Sequence, residues 1–429
     1  MATTSCRALI LIGDGLGDRP VPEFDGLTPL ESQPTPHLDE LAARGECGLM
    51  DPIAVGVPAG SDTAHFAMLG YDPYKYYTGR GPLEALGVGM DVLEGDLGFR
   101  CNFSTVVPDK KGRLIVDDRR AGRIEEGTDR LAMALNNIGS IDGFEFQFRP
   151  SVAHRGALIM RNPLLRVSGD YDEDSPPLSD ADPHAEKQPV LEVQANSPAL
   201  APAATALNKW VHAAYELLKD HPVNVARMNH PDGPLKPANI CLPRGCGVRP
   251  ELPAFRKMHG APGGLVVEVG LIRGLGQFVG MEVVEAPGTT GGYDTDHLSL
   301  ARTAVAALDR TPIVLCNLKA PDVAGHDGKA DLKRQTVAML DEMAGVLLES
   351  LDLGKTVVVV TGDHSTPVSV KDHSGDPLPI LVCGHGVRTD EVRDFGERPC
   401  GRGTLGRIRG ANIMPILTNL MGIAHKFGA

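Results

Sequence analysis

The sequence predicts an α/β fold: a core with a mostly parallel sheet flanked by helices, carrying an inserted α+β domain. Three observations carry the α/β part of this reading. Three short runs, Ala8-Leu9-Ile10-Leu11-Ile12, Ile313-Val314-Leu315-Cys316 and Val357-Val358-Val359-Val360, are apolar on both faces, as strands covered by helices on either side must be. From about residue 265 onward such runs alternate with helical stretches over 297–308, 331–351 and 411–422, the rhythm of a parallel sheet. The middle of the chain differs. Gly98-Phe99-Arg100-Cys101-Asn102-Phe103, Phe144-Glu145-Phe146-Gln147-Phe148 and Ala157-Leu158-Ile159-Met160 are shorter, more alternating and separated by polar stretches such as 169–177. At 429 residues the chain exceeds one ordinary core. The expected division is 1–75 and 266–429 as two parts of one core, with 76–265 inserted between them.

In chain order, residues 1–5 open directly into the first strand, which runs into Gly13-Asp14-Gly15-Leu16-Gly17. A dinucleotide loop is excluded, because the third glycine of G-x-G-x-x-G is missing and Arg19-Pro20 stops an immediate helix. The glycines instead let backbone pass close to a metal carried by Asp14. Thr35-Pro36-His37-Leu38-Asp39-Glu40-Leu41-Ala42 reads as an N-capped helix with proline in its first turn. In Val57-Pro58-Ala59-Gly60-Ser61-Asp62-Thr63-Ala64-His65, Ser61 stands where a loop turns into a helix. Its plain role is an N-cap. Its chemical role is a nucleophile, since the positive end of a helix suits both an attacking alkoxide and a phosphoserine. With no G-x-S-x-G elbow, activation by a metal fits better than a hydrolase triad. His65, one turn on, reads as a packed, hydrogen-bonded histidine.

Each apolar run also leads to an acid: Asp14, then Asp322 with His326 four residues on, then Asp363 followed by His364, with His373 ten residues beyond. A single aspartate at a strand end is ordinarily a turn former or helix cap. Three of them, two with histidine close behind, point to a shared purpose, because chemistry in open α/β sheets gathers at the carboxyl ends of strands. Carboxylate plus imidazole suits zinc, manganese or iron.

Composition narrows the partners. The net charge of -13 argues against general binding to nucleic acid or anionic membranes. An anionic substrate then requires a local cluster of arginine and metal. The eight cysteines form no C-x-x-C pair, and Cys316 and Cys383 sit in strand-like runs as small hydrophobes. No signal peptide is recognised, and no apolar stretch reaches the roughly 18 residues that span a bilayer. The expected location is the cytoplasm, and a homo-oligomer is compatible with the sequence.

The motifs together resemble the archaeal-type, cofactor-independent (2,3-bisphosphoglycerate-independent) phosphoglycerate mutases of the alkaline phosphatase superfamily. The resemblance runs over nearly the whole chain: Leu11-Ile12-Gly13-Asp14-Gly15, Gly60-Ser61-Asp62-Thr63-Ala64-His65, Leu69-Gly70-Tyr71-Asp72-Pro73, Gly79-Arg80-Gly81-Pro82, Phe99-Arg100-Cys101-Asn102-Phe103, Asp118-Arg119-Arg120-Ala121-Gly122-Arg123, Pro321-Asp322 with Gly325-His326-Asp327-Gly328, and Gly362-Asp363-His364-Ser365-Thr366-Pro367. It implies interconversion of 3- and 2-phosphoglycerate through a phosphoserine on Ser61, without bisphosphoglycerate. It implies two divalent ions (manganese, cobalt, zinc or magnesium), one held by Asp14, Ser61, Asp363 and His364 and the other by Asp322, His326 and His373.

The resemblance further places His154, Arg155, Asp180, Asp182 and His184 in substrate-facing segments of the insert. Arg155 would grip an anionic group, and Asp182 would shuttle protons between hydroxyls. Arg119, Arg120 and Arg123 read either as a phosphate clamp or as a solvated charge run. Arg273 stands where a lysine is expected, which leaves its contact with substrate open. Asp62-Thr63-Ala64 after Ser61 departs from the sulfatase pattern. The alternative activity is a related metal-dependent phosphohydrolase, phosphonate hydrolase or phosphotransferase on another small phosphorylated metabolite.

Overall fold

The computed structural model describes residues 6–165, 167, 171, 175–426 and 428. The opening at residues 1–5 and most of the polar stretch 169–177 lie outside the described residues. The chain forms two compact units, Met1–Tyr76 with Leu252–Ala429, and Tyr77–Glu251.

The first unit takes up the chain with β1 (Arg7–Gly13), α1 (Pro36–Ala43), β2 (Gly45–Asp51) and α2 (Ser61–Met68). The second unit follows with β3 (Leu97–Pro108), β4 (Leu114–Asp118), β5 (Glu145–Pro150), β6 (Arg155–Arg161), α3 (Ala201–Leu218) and β7 (Ile240–Val248). The chain then returns to the first unit through β8 (Gly263–Val267), β9 (Glu282–Val284), β10 (Ile313–Leu318), α4 (Ala320–Asp327), α5 (Ala330–Ser350), β11 (Thr356–Gly362), β12 (Leu378–Gly384) and β13 (Gly406–Arg409). The second unit ends at Glu251 rather than near 265, because β8 pairs in parallel with β10 of the large sheet.

That large sheet has eight strands in the order β13-β2-β12-β11-β1-β10-β8-β9. The three apolar runs are its adjacent central strands. Ile10 pairs with Val359 on one side and Leu315 on the other, and Gly13 with Gly362 and Leu318. The three strands therefore end level, and Asp14 and Asp363 leave the sheet side by side. Leu9, Leu11, Val314, Cys316, Val358 and Val360 are fully enclosed in one core with Leu340, Met343 and Leu347 of α5. Burying each such side chain stabilises by about 1.5–3 kcal/mol.

The strict alternation of strand and helix expected after residue 265 breaks once. β12 runs antiparallel to β11, because the chain between them returns as a loop with no crossover helix. That loop carries Asp363, His364 and His373.

The expected helices appear at His297–Ala307, Ala330–Ser350 and Ile413–Leu420, the last preceded by a 3-10 turn at Gly410–Asn412. α1 starts at Pro36, but the Thr35 side chain makes no capping bond; its hydroxyl reaches Asp39 instead, at 3.4 Å. Among the described residues no helix is long and apolar enough to cross a membrane. All eight cysteines are buried and free.

The second unit is built on a five-stranded sheet, β4-β3-β6-β5 with β7 also on β3. Along β5, Phe146 and Phe148 point inward while Glu145, Gln147 and Arg149 face out, the alternation of a sheet covered on one side. Phe146 stacks on Trp210 of α3 with centroids 5.7 Å apart.

Candidate functional site

Level strand ends bring the acids together. Asp14, Asp322, Asp363 and His364 are all buried. Donor atoms of Asp14, Asp363 and His364 lie within 4.8 Å of one another, as do those of Asp322, His364 and His373, and those of His326, Asp372 and His373. Six of the seven residues expected to hold metal thus fall in one region of the first unit, with Asp372 beside them, and Ser61 joins them through His364. Gly15 is required here by geometry: its φ is +64°, and a Cβ there would meet the Asp322 Cα and Thr366 Oγ1 at 2.7 Å.

The electrostatics of the cluster are those of a cation site. Burial raises the Asp14 carboxyl above its ordinary pKa, and the neighbouring Asp363 raises it further. Burial also opposes charge on Asp322, but Lys319 and the nearby histidines hold its carboxyl well below the usual range. His364 is pushed down to about 3 by burial and by His373, so its imidazole is neutral. Asp363 Oδ2 is enclosed without a hydrogen-bond partner among the described residues. An orphaned buried carboxylate oxygen is costly unless a cation meets it, and the neutral His364 imidazole with clustered carboxylates fits a divalent ion.

Ser61 is the first residue of α2, not its cap; Gly60 takes the cap position. Its hydroxyl is therefore spared for other work and lies 3.0 Å from His364 Nε2. His65 is fully buried, with Nδ1 2.6 Å from the Ser61 carbonyl. Its packed role agrees with the sequence reading, although its ring also comes within 3.7 Å of Asp363 Oδ2.

Sequence reasoning missed Lys319. Its ammonium bridges the two acid sets, 2.8 Å from Asp14 Oδ1 and 2.7 Å from Asp322 Oδ2. Burial works against this charge, but Asp14 and Asp322 raise its pKa above the ordinary lysine value. The available signal was a lysine directly after the apolar β10 run, three residues before Asp322. Asn317 was missed as well; its Nδ2 donates to Asp14 Oδ2 at 3.2 Å.

The second unit holds a separate arginine cluster. Asp182 is fully buried and accepts from Arg119 Nε at 3.1 Å, Arg119 Nη2 at 2.7 Å and the His184 backbone N–H at 2.9 Å. Burial opposes its charge, yet Arg119 and that N–H hold its carboxyl below the usual range. Asp182, expected as a proton shuttle, is thus clamped against Arg119. Asp180 pairs with His184 Nε2 at 2.6 Å and accepts from Gly245 N at 2.7 Å. Arg244 approaches Asp182 at 3.4 Å.

Arg80 and Arg100 share Glu84, at 2.9 and 3.8 Å. Arg100 is depressed well below its ordinary pKa by burial and by the adjacent Arg80. His154 is buried, and burial with the surrounding Arg155 and Arg120 lowers its pKa to about 3. Its Nδ1 has no hydrogen-bond partner among the described residues. Arg80, Arg100 and Arg244 were not singled out from sequence as ligands of substrate, because each lies on a different element. Arg155 and Arg120 are exposed. Arg273 belongs to the first unit, on the helix Gly270–Phe278, and pairs there with Glu285.

A serine at a helix start beside a carboxylate and imidazole cage is the working arrangement of metal-assisted transfer at phosphorus. Comparison with known proteins narrows that class to one family. A family model for 2,3-bisphosphoglycerate-independent phosphoglycerate mutase matches residues 42–224. The chain is 43% identical over 427 residues to the Methanosphaera stadtmanae enzyme of that name, covering 99% of this chain and 100% of that one. It is 45% identical over 428 residues to the Methanopyrus kandleri enzyme, covering 99% and 98%. Among solved structures, a Pyrococcus horikoshii protein aligns with a TM-score of 0.83 at 37% identity, over 99% of both chains. The cofactor-independent phosphoglycerate mutase of Thermoplasma acidophilum aligns at 0.68 and 34% identity, over 97% of this chain and 100% of that one. The chain belongs to the 2,3-bisphosphoglycerate-independent phosphoglycerate mutase family.

Proposed function

We propose that the protein interconverts 3-phosphoglycerate and 2-phosphoglycerate without bisphosphoglycerate, by passing the phosphoryl group through Ser61. The observation that carries this reading is the Ser61 hydroxyl, free of any capping duty and set against the buried donors at 3.0 Å from His364. Asp14, Ser61, Asp363 and His364 would hold one divalent cation, and Asp322, His326 and His373 a second. Such ions lower the hydroxyl's pKa and spread the charge that develops at phosphorus, a task manganese, cobalt, zinc or magnesium can perform.

The chain's own groups do the rest. Ser61 Oγ forms a bond to phosphorus as the bond to the 3-oxygen of glycerate breaks, and the proton that the serine hydroxyl gives up passes to that oxygen. The N–H groups at the start of α2 face the phosphoserine. Lys319 adds a fixed positive charge between Asp14 and Asp322. The retained glycerate then turns and takes the phosphoryl group on its 2-oxygen. In the second unit, Arg155, Arg119 and Arg120 are the candidates to grip the glycerate carboxylate or the phosphate, with Arg80, Arg100 and Arg244 adding to their field. Asp182 orients the Arg119 and Arg244 guanidiniums, with His184 beside Arg244 and Asp180 holding His184, and Asp182 is also the candidate to carry a proton between the two glycerate hydroxyls. His154, neutral and with its Nδ1 unpaired, suits a hydroxyl of the substrate.

The test is Ser61→Ala assayed with 3-phosphoglycerate, metal and no bisphosphoglycerate. Formation of 2-phosphoglycerate should cease. Stability should fall by less than the roughly 1 kcal/mol that a lost helix cap costs, because Ser61 caps nothing. Undiminished 2-phosphoglycerate formation overturns the role of Ser61. Exhaustive chelation of the native enzyme should likewise abolish activity, and full turnover in metal-free protein overturns the two-cation reading.

A further inference from the structure

Lys333 of α5 is fully buried. Its ammonium donates to the Gly17 carbonyl at 2.9 Å and the Thr366 carbonyl at 2.9 Å, and it pairs with Asp18 Oδ2 at 2.8 Å. Three donors meet three acceptors, as a buried ammonium requires. Gly17 follows Asp14 by three residues, and Thr366 follows His364 by two. One side chain from a helix therefore fastens the two strand-end loops that carry candidate metal ligands. The loops also bond directly, Thr366 N donating to the Gly17 carbonyl at 3.1 Å.

The Thr366 hydroxyl stands 2.8 Å from Asp322 Oδ1 and 3.0 Å from His364 Nδ1. A hydroxyl has one proton to give, and an ionised carboxylate can only accept. The proton goes to Asp322, so Thr366 Oγ1 accepts from His364 Nδ1–H. This assigns the His364 tautomer from its network: hydrogen on Nδ1, and the lone pair on Nε2, the atom 3.0 Å from Ser61 Oγ.

We propose that Lys333 and Thr366 act as a positioning pair, in which the ammonium fixes the Thr366 backbone and the Thr366 hydroxyl fixes His364 in its ligand-ready tautomer. The inference rests on the reading of His364 as a metal ligand. Partners that set the tautomer of a ligating histidine typically carry about 10–100-fold in metal affinity.

The test is a Co²⁺ titration of the chelator-stripped full chain, followed by calorimetry and by the visible cobalt spectrum. Thr366→Val should weaken cobalt binding by about 10–100-fold and alter the spectrum, while Thr366→Ser, which keeps the hydroxyl, should bind like wild type. Lys333→Met alone strands the Asp18 charge and endangers the fold. The double variant Asp18→Asn/Lys333→Met removes both charges and should fold, with cobalt affinity reduced about tenfold or more. Wild-type affinity and spectrum in folded Thr366→Val, or in the double variant, overturns the inference. His364→Ala separates this from the underlying reading. If His364→Ala binds cobalt as wild type does, His364 is no ligand and that reading falls. If it loses cobalt while Thr366→Val does not, only the positioning pair falls.

Discussion

Glu397 is one of the residues that join distant segments in the first unit. Its carboxylate accepts from Thr28 Oγ1 at 2.8 Å and from the Asp18 N–H at 3.3 Å. Burial and the nearby Glu31 lift its pKa to about 7 from the ordinary 4.5. A carboxyl whose pKa is raised on folding contributes stability that is complete below the unfolded value of 4.5 and is lost as the pH rises through the folded value of about 7. Each tenfold change in proton affinity between the folded and unfolded chain is worth about 1.4 kcal/mol, and solvent screening of this partly exposed residue reduces the total to on the order of 2 kcal/mol. Chemical denaturation of wild type should show stability falling as the pH is raised from 4.5 to about 7, and Glu397→Gln should flatten that decline. An unchanged slope in the variant assigns the pH dependence to another group.

At the scale of elements, the site depends on how closely the chain can pass at the end of β1. Gly15 has a backbone that side chains rarely adopt, and its missing Cβ leaves room for Asp322 at the start of α4. Gly15→Ala should therefore both destabilise the fold by about 1–3 kcal/mol and lower metal affinity, read by thermal melting and metal titration. A folded variant with native metal binding would show that β1 and α4 can separate without disturbing the ligands. A substitution of Leu164, which is 89% exposed, should change stability by about 0.5 kcal/mol or less, which sets the background for such measurements. The antiparallel return from β11 to β12 matters for the same reason. A crossover helix there would have carried His373 away from Asp322, which lies 3.6 Å from its Nε2.

For the molecule as a whole, the two units carry different clusters of charged side chains. The clustered carboxylate and imidazole donors belong to the first, and the arginine cluster around Asp182 to the second. If the phosphoryl group rests on Ser61 as proposed, a poorly held glycerate would escape and water would take its place. Arg155→Ala should accordingly lower 2-phosphoglycerate formation by about 100-fold without changing metal content, and residual turnover should shift toward free phosphate. Labelled 3-phosphoglycerate with both products quantified, together with metal analysis, checks this. Metal loss in step with activity would refute the division of labour.

The sequence by itself determined the pieces that are local. Val357-Val358-Val359-Val360 is a buried strand because four consecutive β-branched side chains leave no face for water. Asp14, Asp322, Asp363 and His364 were legible as site residues because each follows such a run, and strands of a parallel sheet deliver their carboxyl ends to one edge. Tertiary structure alone decided which strands are neighbours, since β11-β1-β10 joins segments separated by about 300 residues. It also decided that Ser61 starts its helix rather than capping it, and that Asp182 is clamped by Arg119. Lys333 and Arg244 carry no local mark of their partners, and the position of Lys319 after β10, or of Arg80 and Arg100 within their motifs, does not say which carboxylate each meets. A lysine or arginine reads the same in sequence whether solvent or a distant carboxylate receives it, and only packing brings the partner within the few ångströms at which charge has consequence.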